Sequence, residues 1–169
     1  MKEHINNIKL SIGGVYILLL FLSKEITLEI GKLGNQKFPR GYYTYTGSAL
    51  GKRSNILKHR LSRHLRKEKR KFWHIDYLLA NENVTIEAIL VVETRKRMEC
   101  EINIMIKSQN QALVPVKRFG ATDCKNNCKT HLLHFPEVDK VDLLIQKIVS
   151  DVTKLVDLLS VHVFLKSFL

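Results

Sequence analysis

An apolar run at residues 15–22 (VYILLLFL) constrains this chain more than any other stretch. Gly13 and Gly14 open it, and Ser23-Lys24 closes it as a turn. A bilayer span needs about 20 such residues, so the run is too short to cross a membrane. Nor does it resemble a secretory leader closely. Lys2 and Lys9 precede it, but Glu3 interrupts them, and Ser23-Lys24-Glu25 stands where small cleavage-site residues belong. The run is read as a buried strand, with no membrane as a partner. The 169 residues, 45% of them hydrophobic, suit one globular domain with a proper core rather than a disordered chain.

Around that strand the periodicities change along the chain. Ile26, Leu28 and Ile30 alternate with Thr27 and Glu29, the pattern of a half-exposed strand. Gly34 to Lys37 and Pro39-Arg40-Gly41 are turn chemistry, and residues 42–46 (YYTYT) predict a third strand. Short connections favour antiparallel neighbours, so residues 14–46 are expected to form a three-stranded meander. Leu57, Leu61 and Leu65 then mark a helix through a cationic segment, and Trp73, Ile75, Leu78 and Leu79 a shorter element. Residues 84–92 predict a strand and a helix begins near Met98; residues 109–130 read as loop with one short strand. Val141, Ile145, Ile148, Val152, Leu155 and Leu159 step by fours and threes along a last helix. The order predicts an α+β fold, a small mainly antiparallel sheet flanked by helices. Residues 1–136 form its main body. Residues 137–169 add a C-terminal helix that covers the core or, through its heptad-like seam, joins a homodimer. The apolar end at 161–169 favours a partner surface.

Charge narrows the class of partner. There are 28 Lys and Arg against 16 Asp and Glu, a net +12, which draws polyanions, nucleic acid first among them. Between Lys52 and Lys71 lie ten cations and one acid, Glu68. Lys52, Arg53, Lys58, Arg63, Arg66, Lys67 and Arg70 are the candidate nucleic-acid contacts, with a solvated basic face as the plain alternative. Arg60 and His64, four residues apart, share one helix face, where guanidinium can grip a phosphate and imidazole can donate or carry a proton. Three cysteines, Cys100, Cys124 and Cys128, are too few for a disulfide scaffold and fit a reducing, cytoplasmic setting. Cys124-x3-Cys128-x2-His131, with His134 behind, has a zinc-like look. Its first spacing is not the common one, and a loop with free thiols is the preferred reading. Asp76 and Asp123 could assist a metal, though no spacing selects them.

Gly14-Val15-Tyr16 and Tyr45-Thr46-Gly47 resemble the paired signatures of the GIY-YIG nuclease superfamily. The stretches YTGSALG, LSRHLRKEKRKFWHIDYLL, MECEI and RFGATDC look like the branch called domain of unknown function 123, over most of the chain. The 29 positions from Tyr16 to Tyr45 exceed the usual superfamily gap, and an extra hairpin near 28–41 would fill them. The resemblance implies a short antiparallel sheet flanked by helices and a Mg²⁺- or Mn²⁺-dependent endonuclease on DNA, ahead of RNA, in repair or recombination. It assigns catalytic roles to Tyr16, Tyr45, Arg60, His64 and a glutamate near residue 100 that holds the metal. Glu99 is preferred over Glu101 because the family's glutamate sits in the first turn before a small residue. A non-catalytic nucleic-acid-binding module on the same scaffold, and an interaction protein dimerising through its last helix, are the rival functions.

In that chemistry, Arg60 offsets charge on the non-bridging oxygens. Tyr16 is the candidate base, with Tyr45 as its hydrogen-bonding partner, and His64 the substitute proton carrier. A phenol near its ordinary pKa of about 10 serves as a base only where neighbouring cations favour the phenolate.

Overall fold

The structure, a computed structural model, describes residues 5, 7, 10, 12–51, 55–126, 128–136, 138–156 and 160–166. In chain order its elements are β1 (Gly14–Leu22), β2 (Ile26–Glu29), β3 (Asn35–Phe38), β4 (Gly41–Ala49), α1 (Ile56–His64), α2 (His74–Leu79), β5 (Val84–Glu93), α3 (Glu99–Asn110), β6 (Leu132–Phe135), α4 (Val141–Val156) and β7 (Val161–Leu165). The fold is α+β, as the periodicities indicate. Five strands make one antiparallel sheet in the order β6-β4-β1-β5-β7, and β2 and β3 form a separate hairpin.

β1 is the middle strand of the five, and helices pack on both faces of the sheet. That is why its sequence is apolar throughout instead of alternating. Tyr16, Leu18, Leu20 and Leu22 point to a core closed by α1, α2 and Phe119. Val15, Ile17 and Leu19 point to a second core closed by α3 and α4. The molecule is thus three layers with the sheet in the middle. Among the described residues, no helix is long and apolar enough to cross a membrane.

The expected meander is corrected. β1 pairs with β4 and β5, not with β2, and residues 35–37, read as turn chemistry, belong to the strand β3. The β2–β3 hairpin is the insertion that lets β4 return beside β1. The basic helix is also shorter than its leucine period. Lys69 donates to the carbonyls of Arg63 (3.2 Å) and His64 (2.9 Å), which satisfies the last turn and stops α1 at His64.

The C-terminal region differs most. The seam of α4 packs Ile145, Ile148 and Val152 onto the sheet, whereas Leu155 is exposed and Leu159 lies outside the described residues. The apolar stretch beyond it contributes a further strand. Residues 161–165 are β7, hydrogen-bonded along the edge of β5, with His162 Nε2 at 2.8 Å from Glu93 Oε1. An exposed β5 edge would be an aggregation-prone template, and β7 covers it.

Candidate active site

The sheet's register builds one end of the site. Tyr16 on β1 stands opposite Gly47 on β4, and Leu18 opposite Tyr45, so both tyrosines project to the face that α1 covers. Gly47 is there because the Tyr16 ring lies against it. A Cβ at that position would fall 2.5 Å from the Tyr16 hydroxyl oxygen and 2.6 Å from Cζ. Gly120 does the same for Tyr45, and its φ of +67° suits glycine in addition. Gly47→Ala is therefore expected to lower stability by about 1–3 kcal/mol through overpacking. It should also shift the Tyr16 ring, read as a changed tyrosine fluorescence and a lower urea midpoint. An unchanged midpoint would mean the ring has room to move.

A cleft of about 440 Å³ opens at this end, and Tyr16, Tyr45, Gly47, Arg60, Trp73 and Glu99 all line it. Four residues far apart in the chain, two phenols, a guanidinium and a carboxylate, thus share one hollow. The Tyr16 hydroxyl bonds His64 Nε2 at 2.8 Å, so its partner is the imidazole. Tyr45, the partner expected from the sequence, has its ring centroid 6.4 Å from that of Tyr16. Arg60 donates to the Ser48 carbonyl at 2.7 Å, and its guanidinium stacks 4.6 Å from the Trp73 ring centroid. This fixes the plane of the guanidinium while leaving other N–H groups to face the cleft.

Burial dominates the electrostatics. It pushes the Tyr16 hydroxyl well above the usual tyrosine range; the Tyr45 charge adds to this, and Arg60 opposes it. Tyr45 is raised in the same way. His64 is lowered to about 3 by burial first and then by the Lys69 ammonium, so its ring is neutral at pH 7. Without a further cation, the phenols are protonated and the imidazole uncharged.

The two glutamates separate clearly. Glu99, first residue of α3, lines the cleft, and its Oε2 is buried with no hydrogen-bond partner. Glu101 is exposed. A buried carboxylate oxygen without a partner leaves acceptor capacity unused at the wall of the cleft.

The proposed nucleic-acid contacts divide three ways. Lys52 and Arg53 lie outside the described residues. Arg63 and Lys67 are engaged within the protein. Arg63 donates to Asp76 Oδ1 (2.8 Å) and Oδ2 (2.9 Å) and stacks on Trp73, and Lys67 donates to the Asn81 and Val84 carbonyls. Arg66 and Arg70 are exposed, and Lys58 is half-buried. Asp76 is fully buried and organises the site from beneath. Besides Arg63, it accepts from the backbone N–H of Phe72 (3.0 Å) and Trp73 (2.9 Å), which sets the tryptophan under both arginines.

Several cleft residues were not singled out by sequence reasoning. Arg97 and Lys125 add cationic charge to the cleft wall, and Asn126 lines it as well. The cations at 95–97 were a usable signal, since they lead into the helix that carries Glu99. Phe72 is 74% exposed beside Trp73, an apolar face at the rim of a basic cleft. Finally, Cys100, Cys124, Cys128 and His131 bring their ligand atoms within 4.8 Å of one another. Cys100, Cys124 and His131 also border the cleft, so two different donor sets, one oxygen and one sulfur-rich, stand side by side.

The family model described as Domain of unknown function DUF123 matches residues 15–154, a span that includes every described residue of the cleft. No curated protein and no solved structure matches the chain.

Proposed function

The chain belongs to the DUF123 family, and from that premise we propose that it is a divalent-metal-dependent endonuclease of GIY-YIG type acting on DNA. The observation that supports this most is the convergence of Tyr16, Tyr45, Arg60 and Glu99 on one cleft. The orphaned Glu99 Oε2 suits a Mg²⁺ or Mn²⁺ ion. Such an ion supplies Lewis acidity and lowers the pKa of a bound water.

The protein's own groups do the rest. Arg60, held by Ser48 and Trp73, presents its remaining N–H groups to the non-bridging phosphate oxygens as charge builds there. Tyr16 is oriented by His64 and by the nearby Arg60 guanidinium, so its oxygen holds one position in the cleft. Its raised pKa makes it a hydrogen-bonding and orienting group in the resting protein. It accepts a proton from the nucleophile only where added positive charge offsets the effect of burial. His64, neutral, keeps the phenol in place. Arg66, Arg70, Arg97 and Lys125 attract the polyanion, and Phe72 offers a base a stacking face.

A non-catalytic nucleic-acid-binding module is the second reading. It is favoured by burial, which raises the Tyr16 and Tyr45 phenols and lowers the His64 imidazole, so that none of these three is suited to take a proton near pH 7. Incubation of plasmid and branched DNA with Mg²⁺ separates the two. The nuclease reading expects nicks that EDTA abolishes and that Tyr16→Phe slows by about a hundredfold or more. Tight, salt-sensitive binding with no metal-dependent product supports the binding module instead. Neither product nor binding defeats both.

A further inference from the structure

Between α3 and β6, the described residues of 111–131 contain neither helix nor strand. A loop of that length inside a compact domain needs something other than regular structure to hold it. Its apolar anchors are few, Ala112, Val116, Phe119 and Ala121. Two backbone bonds, Arg118 N–H to the Lys129 carbonyl and His131 N–H to the Phe119 carbonyl, pinch residues 118–131 into a closed lobe. Within the lobe, Cys124, Cys128 and His131 turn toward one point, and Cys100 meets them from the first turn of α3.

We propose that Cys100, Cys124, Cys128 and His131 form a structural Zn²⁺ site that clamps this loop onto the helix carrying Glu99. The geometry is that of a single tetrahedral ion. Bond lengths of about 2.3 Å to sulfur and about 2.0–2.1 Å to nitrogen place ligand atoms roughly 3.8 Å apart for two sulfurs and 3.6 Å for sulfur and nitrogen. Cys100 Sγ lies 3.3 Å from Cys124 Sγ and 3.6 Å from His131 Nε2, and all four atoms fall within 4.8 Å. All three cysteines are free thiols. A bridged multi-iron cluster would spread its ligands more widely. Three thiolates and an imidazole select a soft or borderline ion over Mg²⁺ or Ca²⁺. Four protein ligands leave no open position, so the ion is structural and takes no part in hydrolysis.

Binding converts three thiols to thiolates and releases three protons to solvent, leaving the centre with one net negative charge. Arg97 and Lys125 border the same cleft as Cys100, Cys124 and His131 and bring positive charge to it. Asn103 supports the clamp from the next turn of α3, donating to the Thr130 carbonyl at 2.8 Å. His134, the other histidine near the motif, is not a ligand. It stacks on Tyr43, and its Nε2 lies 3.1 Å from the Arg40 carbonyl.

The zinc site does not rest on the nuclease reading, and its test needs no activity. The full chain, purified without chelator, should carry about one zinc per molecule by elemental analysis. After removal of that zinc, one equivalent of Co²⁺ should give the intense visible bands of a tetrahedral cobalt thiolate, bleached by one equivalent of Zn²⁺. Cys128→Ser should weaken the sulfur-to-cobalt charge-transfer band, whereas His59→Ala, at an exposed position, should leave it intact. Should Cys128→Ser fail to fold, thiol titration of the parent replaces it. The three thiols should react slowly with zinc present and rapidly after chelation. A zinc content near zero, with only the weak spectrum of octahedral cobalt, overturns the proposal. So do thiols that react equally fast with and without chelator.

Discussion

Asp76→Asn is expected to destabilise the protein by about 3–5 kcal/mol, the cost of removing one partner from a buried ion pair. The carboxylate is fully buried and faces two cations. Arg63, 26% exposed, bonds it bidentately, and Lys69, 4% exposed, has Nζ 4.0 Å from Oδ1. It also accepts two backbone N–H groups at the start of α2, where an amide nitrogen would oppose donor to donor. Removing the charge leaves Lys69 buried without its counter-ion, although burial already lowers that ammonium to about 8. The surface pair Lys37–Glu25, with side chains 66% and 53% exposed, is the control, and breaking it should cost ~0–1 kcal/mol. Urea midpoints measure both. Equal, small shifts would show that Asp76 is not the anchor described.

The same carboxylate sets an acid limit. Burial alone would raise its pKa, but the Arg63 hydrogen bonds and the Trp73 and Phe72 N–H groups outweigh it, so the folded pKa lies below the ordinary value. A depressed carboxylate stabilises fully above its unfolded pKa of about 4 and loses that contribution as pH falls through the folded value. The parent should therefore lose stability below about pH 4. In Asp76→Asn that component is already absent, so its acid slope should be shallower. The effect reaches the cleft as well, because Asp76 holds the Trp73 backbone and Arg63, and Trp73 carries Arg60.

How much of this could be read from the sequence depends on whether the cause was local. β1 was legible because burial on both faces leaves an uninterrupted apolar word, and the second half of β5, residues 88–92, for the same reason. The end of α1 was not. Leu65 continues the four-residue period, and the stop at His64 comes from Lys69 folding back onto the last carbonyls. β6 is four residues long, follows a long loop, and carries His134 among its apolar residues, so no period can form. The residues 161–165 gave an apolar signal without saying what it meets. The answer, the edge of β5, lies some seventy positions earlier. Of the candidate site, Arg60 was marked by its helical spacing from His64, whereas Tyr16, Tyr45 and Glu99 came from the resemblance, since no spacing predicts that a strand's phenol will face a later helix's carboxylate. The cysteines show the same limit from the other side. Cys124, Cys128 and His131 were visible as a motif that lacked a ligand, and the missing one, Cys100, sits on another element.

Glu99→Ala should lower metal-dependent cleavage by at least about a hundredfold, the scale for losing one group that stabilises developing charge, and leave DNA binding nearly intact. Glu101→Ala is the matched comparison. Both glutamates lie in the first turn of α3, so each substitution removes a similar favourable interaction with the helix N-terminus, about 0.3–1 kcal/mol. They differ only in what they face. Glu101 is exposed, whereas Glu99 Oε2 is buried without a partner. Leaving a buried acceptor unsatisfied costs stability, so Glu99→Ala in EDTA should melt no lower than Glu101→Ala and somewhat higher if the orphaned oxygen dominates. A residue kept for the fold would give the reverse, a lower melting temperature with turnover per folded molecule preserved. Mg²⁺ supplies the second axis. It should raise the melting temperature of the parent and of Glu101→Ala, and leave Glu99→Ala unmoved. If Mg²⁺ stabilises all three equally, the ion binds elsewhere and the carboxylate in the cleft has another purpose. If Glu101→Ala is the inactive variant, the metal role passes to it and the geometry of the cleft has been misjudged. Elemental zinc, measured on the same samples, should be unchanged in both variants. Loss of turnover can then be assigned to the oxygen site and not to the sulfur site beside it.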